Sequence, residues 1–328
     1  MALPASIRRM VRRAFNSVGL SLSRYQPPVA TAPVATTVFE TLSPQEPLIV
    51  DQAEYERLWY QYKEHALSAH SGSVWNPGQD HTSSVQDISP VRFRADNDFI
   101  YQTRAHSAAS YVVEALWVEK SDTHGLLNRT REAGDFGVEC IRMDGRLWSR
   151  DLMDSVLEIT FLLDNLPPQS LDTMRIVDIG AGYGRLLHRL ADVTDNPHLL
   201  GADGFALSTA ICRAYIGYRG LASRVTVLDL AGVDALTEHI DLATNVHSFS
   251  EMPLAAVTWW LDWLVRREAK YLFIVPNRPG PALNDGTDLM PALKDRGFSL
   301  VAHRMKYVDP LVGENALYQA NYYLFSRA

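Results

Sequence analysis

Apolar and polar positions follow two different rhythms along the chain. From residue 174 onward, short apolar runs bounded by Gly, Asp or Asn alternate with stretches of helical periodicity. The runs 174–179, 198–202, 225–228, 241–246 and 271–275 predict buried strands. The stretches 184–193, 208–218 and 254–269 predict the helices between them. Such alternation specifies an α/β fold with a parallel, doubly wound sheet. The end of the chain departs from it. Residues 298–306 and 317–325 are both strand-like with no helix between them, which predicts an antiparallel pair at the edge of the sheet.

Upstream, residues 50–165 read as mostly helical. Residues 51–65 form one predicted helix, with Tyr55, Leu58, Trp59 and Tyr62 on one face. Residues 107–120 form another. Ser149 is a good N-cap for a third, whose apolar positions Leu152, Val156, Ile159 and Leu163 run until Pro167-Pro168 stops it. Between the first two helices, 71–97 is rich in Ser, Gly, Pro, Asn and Asp and reads as a long loop, of the kind that serves as a lid or binding loop. At the N-terminus Ile7, Met10, Val11, Phe15 and Val18 recur at helical spacing, and residues 26–37 are a Pro/Ala/Thr linker. The chain therefore divides into a basic amphipathic helix (1–25), a linker (26–48), a helical cap and substrate-binding region (49–168) and a sheet domain (169–328).

Charge sharpens this division. The chain carries −7 overall, yet residues 1–25 hold five arginines and no acid, which leaves −12 on the remainder. An acidic body does not suit a nucleic-acid partner. The basic segment either lies as a helix on an anionic membrane surface, docks as a helix on the acidic body, or is a solvated, fraying terminus. No apolar run is long enough to span a bilayer. The two cysteines, Cys140 and Cys212, have no metal-binding or redox spacing and read as free thiols in a reducing compartment. These features predict a cytoplasmic protein, with peripheral contact at the inner face of the membrane if the basic helix binds there.

Candidate chemistry concentrates where the first predicted strand turns into a helix, at Asp178-Ile179-Gly180-Ala181-Gly182-Tyr183-Gly184-Arg185. Glycines allow a tight turn and close approach of a ligand, and a helix N-terminus offers free N–H groups to an anion. The dinucleotide pattern G-x-G-x-x-G fails, because its sixth position is Arg185. The acid two residues before the first glycine would repel a pyrophosphate. It suits a ligand that carries an ammonium beside a carboxylate, as S-adenosyl-L-methionine does. Asp203-Gly204 ends the second strand, where an acid can accept from ribose hydroxyls. Asp229-Leu230 ends the third, where an acid can accept from an adenine amino group.

These residues resemble the class I S-adenosylmethionine-dependent methyltransferases. The resemblance implies a Rossmann-like seven-stranded sheet with an antiparallel last strand. It also implies cofactor contacts at Asp178, at Gly180, Ala181, Gly182, Tyr183 and Gly184, and at Asp203, Gly204, Asp229, Leu230 and Asn245. A narrower resemblance spans 145–155, 178–185 and 245–252. Those three blocks look like sugar O-methyltransferases of bacterial glycoside and antibiotic pathways, which implies a sugar-containing small molecule or glycolipid as acceptor.

The fourth strand agrees with an oxygen acceptor, since Asn245-Val246-His247-Ser248 lacks the Asn/Asp-Pro-Pro-aromatic run of many amine methylases. An alcohol must lose its proton as it is methylated, so a positioned base is needed. His247 and Glu251 are the candidates, with the rate expected to rise through the histidine's ionisation. A packed histidine and a first-turn acid are the ordinary alternatives. No spaced metal motif joins His247, Glu251, Asp203 and Asp229, and none is expected. Trp75, Asn76, His81, Asp96, Asn97, Asp98, Tyr101, Gln102 and Arg104 supply the aromatic and polar groups that sugar recognition needs. Trp259, Trp260 and Trp263 read as core. Two other readings remain open: methylation of a different small-molecule or lipid hydroxyl, and a catalytically inactive partner protein of the same fold.

Overall fold

The computed structural model describes residues 39–40, 47–65, 67, 91–95 and 107–327. The basic helix at 1–25, most of the linker and nearly all of the 71–106 loop, with the sugar-recognition residues named above, lie outside the described residues.

Ten strands are described: β1 Phe39–Glu40, β2 Cys140–Met143, β3 Arg146–Ser149, β4 Ile176–Ile179, β5 Leu199–Ala202, β6 Val225–Leu228, β7 Leu242–Val246, β8 Tyr271–Val275, β9 Phe298–Met305 and β10 Asn321–Arg327. The longer helices are α1 Gln52–Glu64, α2 Ala108–Ser121, α3 Arg150–Asn165, α4 Arg185–Val193, α5 Ala206–Tyr218 and α6 Leu254–Arg266. Their starts follow the capping chemistry of the sequence. The side chains of Asp51, Ser107 and Ser149 accept from backbone N–H groups in the first turns of α1, α2 and α3.

Seven strands form the main sheet in the order β6-β5-β4-β7-β8-β10-β9. β4 to β8 are parallel, and β10 inserts antiparallel between β8 and β9. This is the expected doubly wound architecture with its antiparallel last strand. Alternate strand residues feed two cores. Val177, Ile179, Ala202 and Ile274 pack under α1, α5 and α6, while Ile176, Leu199, Leu242 and Phe273 pack under α3 and α4. With both faces covered, the strands read as the continuous apolar runs seen in the sequence. Chain order reverses between β4 and β7, which opens a crevice beyond their carboxyl ends.

The region 49–168, expected to be mostly helical, also holds a hairpin of β2 and β3 whose turn, Asp144-Gly145, has both φ angles positive (49° and 79°). Part of the stretch read as linker also joins this hairpin. β1 pairs antiparallel with β2, Phe39 opposite Ile141, and the Phe39 ring meets Tyr111 edge-on at 5.0 Å. No helix among the described residues is long and apolar enough to cross a membrane.

Candidate active site

A cavity of about 570 Å³ occupies the crevice at the carboxyl ends of β4, β5 and β7. Asp178, Gly180, Ala181, Gly182, Tyr183, Asp203, Gly204, His247 and Glu251 all line it. Residues 70 positions apart in sequence therefore meet because their strands are neighbours.

Asp178 is the penultimate residue of β4 and is buried. Its Oδ1 accepts from the Thr244 hydroxyl at 2.7 Å. Burial pushes its carboxyl up to about 7, against the opposing pull of the Thr244 bond. Asp203 is partly buried and holds two backbone donors, Gly182 N at 2.9 Å and Phe205 N at 2.8 Å. It thereby ties the glycine turn after β4 to the turn after β5. Burial pushes Asp203 up to about 6. Neither carboxylate has an ion pair among the described residues. Two acids thus face one cavity with no direct ion pair, and the Arg185 guanidinium acts on Asp178 only at longer range.

The glycines divide by role. A Cβ at Gly182 or Gly204 would meet no atom within 4 Å, so both leave open space beside the two acids. Gly180 (φ 73°) and Gly184 (φ 89°) serve packing instead. A Cβ on Gly180 would lie 2.1 Å from Ser248 Oγ, and one on Gly184 would lie 2.9 Å from Cys212 Sγ. Gly184 does not line the cavity. It starts α4, which no side chain caps.

The third strand end behaves differently from expectation. The Asp229 side chain accepts from Gly232 N at 2.8 Å and so caps the short helix Leu230–Ala235. It also pairs with Arg57 of α1 at 3.1 Å and with Arg213 at 3.5 Å. Asp229 is not among the cavity residues, and Leu230 is fully buried in the core. The pair expected to meet adenine thus lies outside the cavity, and Asp229 braces α1 to the sheet. Asn245 is likewise structural. Its Nδ2 donates to Ile179 O and its Oδ1 accepts from Phe249 N, both at 2.8 Å, which locks the end of β7 to the end of β4.

His247 follows β7 with a left-handed backbone (φ 67°, ψ −36°), a costly conformation for a residue with a Cβ. Its N–H donates to Val275 O at 2.7 Å, and the short helix Ser248–Glu251 begins directly after it. The ring Nε2 lies 3.2 Å from the Tyr318 hydroxyl, and Nδ1 is enclosed with no hydrogen-bond partner. Burial first, then the Arg150 guanidinium, push the imidazole down to about 3. The ring is therefore neutral throughout the physiological range, and the expected ionisation near neutrality is absent. Glu251, at the end of the short helix, accepts from Asn277 Nδ2 at 3.2 Å.

Sequence reasoning missed the polar wall beyond His247. Asp151, Asp154 and Glu158 are all buried on α3, at spacings that place them on one face. Arg94 bonds Asp151 and Glu132 at 3.0 and 2.9 Å. Arg150 and Lys306 hold Asp154 at 2.9 and 2.6 Å, and Arg185 holds Glu158 at 2.9 Å. Although burial raises a carboxyl, Lys306 and Arg150 keep Asp154 well below the usual carboxylate range. Tyr183 of the glycine turn donates its hydroxyl to Asp151, which joins the turn to this network. The available signal was three acids at helical spacing on an otherwise apolar stretch. Of the tryptophans, Trp260 and Trp263 are core as expected, and Trp260 also reaches the cavity.

Comparisons with known proteins add the following. No protein-family model matches the sequence. No curated protein sequence is similar to it. Among solved structures, the chain is similar to magnesium protoporphyrin IX methyltransferase (ChlM) from Synechocystis PCC 6803 with bound SAM. That pair shares 15% identity over 66% of this chain and 97% of the other, with a TM-score of 0.41. It is similar to the [4+2]-cyclase SpnF at 15% identity, over 66% of this chain and 96% of that one, also at 0.41.

Proposed function

We propose that this chain is an S-adenosylmethionine-dependent O-methyltransferase acting on a sugar hydroxyl of a glycoside or glycolipid. The observation that carries the cofactor half is the pair Asp178 and Asp203, two acids in one cavity whose carboxyls burial pushes up and which make no ion pair among the described residues. A cationic ligand with hydroxyls is what such a pair is suited to hold. The open space at Gly182 and Gly204 lets it approach the backbone, and the uncapped N-terminus of α4 suits its carboxylate. When bound, the cofactor supplies an electrophilic methyl group on a sulfonium.

The acceptor half rests on the three sequence blocks that resemble sugar O-methyltransferases, and on a polar cavity wall. Arg150, Asp151, His247, Glu251, Asn277, Tyr318 and Gln319 line that wall and offer the donors and acceptors that a polyhydroxylated acceptor requires. His247 takes the hydroxyl proton. A ring pushed down to about 3 suffices, because an oxygen that is gaining a methyl group becomes strongly acidic and gives up its proton late. Glu251 is the second candidate for that role. Residues 1–25 give peripheral attachment to an anionic membrane surface.

The test is calorimetry with S-adenosylmethionine followed by methyl-transfer assays on a panel of glycosides, lipids and phenols. Methylation of glycosides is the expected result. Exclusive methylation of phenols or lipids would redirect the acceptor assignment. Absence of cofactor binding would favour an inactive partner protein.

A further inference from the structure

Behind His247 lies a chain of hydrogen bonds that the proposed reaction has not yet used. The Tyr318 hydroxyl donates to Asp154 Oδ2 at 2.9 Å. A phenol has one proton to give, so toward every other neighbour the Tyr318 oxygen accepts. One such neighbour is Arg150, whose guanidinium donates to it at 3.3 Å. The other is His247 Nε2 at 3.2 Å, which must then carry a hydrogen. Asp154 is itself fixed by Lys306 Nζ at 2.6 Å and Arg150 Nε at 2.9 Å, so its carboxylate stays ionised and the direction of the chain is set. The Lys306 ammonium also sits 4.1 Å from the centre of the Tyr318 ring.

We infer that Tyr318 and Asp154 are positioning residues that hold His247 as its Nε2–H tautomer and reserve Nδ1 as the nitrogen that receives the acceptor proton. This rests on the methyltransferase reading only for the identity of the proton's donor. Nδ1 is buried without a partner, which is a standing cost that an acceptor hydroxyl would remove. The proton leaves the hydroxyl oxygen for the Nδ1 lone pair, and the ring becomes an imidazolium. Its Nε2–H keeps donating to the Tyr318 oxygen, whose own proton stays on the Asp154 side. The ring passes the added proton from Nδ1 to solvent that enters as the product leaves, before Nδ1 is enclosed again. The strained backbone at His247 fits this arrangement, because it fixes the ring where Nε2 meets the Tyr318 oxygen.

The test is nitrogen NMR of the protein labelled with 15N-histidine, with the His247 signals assigned by their loss in His247→Gln. The expected wild-type spectrum shows a protonated Nε2 and a bare Nδ1. Tyr318→Phe removes the accepting oxygen while keeping the ring, so the Nδ1–H form should become populated. Its kcat for methyl transfer should fall at least about tenfold with little change in the KM for S-adenosylmethionine. A wild-type spectrum with the proton on Nδ1 overturns the inference, whatever the acceptor proves to be. So does a folded Tyr318→Phe protein with unchanged tautomer and unchanged kcat. A wild type in the Nε2–H form that methylates no glycoside supports the positioning role and sinks the sugar assignment alone.

Discussion

Asp178→Asn should make the free protein more stable and the cofactor complex weaker. The Asp178 carboxyl titrates near 7 in the fold, against an ordinary value of 3.8. Between those two values the unfolded chain has released the proton and the folded one has kept it. Unfolding is then favoured as pH rises through that window, and the full cost is present above it. At pH 8 the cost is about 4 kcal/mol. Asparagine removes the charge and keeps an oxygen for the Thr244 hydroxyl, so the variant should recover much of that amount. Melting of the ligand-free protein at pH 8 should shift upward by several degrees. At pH 4 the shift should vanish, because the wild-type carboxyl is then neutral as well. Cofactor binding should move the other way. A charge-assisted contact is worth about 1.5–3 kcal/mol, so affinity should drop roughly tenfold to a hundredfold. In the wild type the affinity should also fall below pH 7, by up to about tenfold per pH unit, and this dependence should disappear in the variant. Scanning calorimetry at the two pH values and titration calorimetry with S-adenosylmethionine measure both arms. A variant that is no more stable at pH 8, or that binds the cofactor as tightly as the wild type, refutes the reasoning.

Gly204→Ala adds a methyl group into empty space without backbone strain, so its melting temperature should match the wild type while cofactor affinity falls; equal affinity would mean that the ligand does not approach there. His247→Ala should lower turnover by about 10²–10⁴-fold with much less effect on cofactor affinity. Because the His247 ring titrates near 3, wild-type turnover should show no step from this residue between pH 5 and 9, and a histidine-dependent rise near pH 6.5 in rate profiles would contradict the burial argument. Deleting residues 1–36 should spare the fold, since β1 begins at Phe39, and should reduce sedimentation with anionic vesicles at low salt. Equal vesicle binding by the shortened and full-length chains would retire the membrane assignment.

The sheet was legible because its strands are buried on both faces and its helices are separated by strong turn residues. Ser149 announced α3, and the paired strands at the end of the chain announced the antiparallel edge. The β2–β3 hairpin was missed although its Asp144-Gly145 turn is a strong signal, because four-residue strands hold too few positions to show a period. Asp178 and Asp203, flagged in the sequence by the glycines around them, do line the cavity. Asp229 does not, since an acid at a strand end can equally cap the next helix. What decides its role is Arg57, 172 positions earlier in the chain, and no local pattern reports that contact. The Tyr318–Asp154 pair was illegible for the same reason: α3 and the approach to β10 meet only in the folded protein.

The contact between Gly180 and Ser248 carries a lesson for reading mutational drift at this site. The first glycine of the turn is required by a neighbouring side chain, with Ser248 Cβ only 2.3 Å from where a methyl group would stand. Its invariance in a set of descendants would therefore be accounted for by Ser248 without any appeal to the ligand. Positions 180 and 248 instead behave as one inherited unit. A Gly180→Ala lineage survives only after Ser248→Gly has cleared the space, and even then it bears about 1–2 kcal/mol for the left-handed backbone. In a deep mutational scan, the pair should score far better together than the sum of its halves.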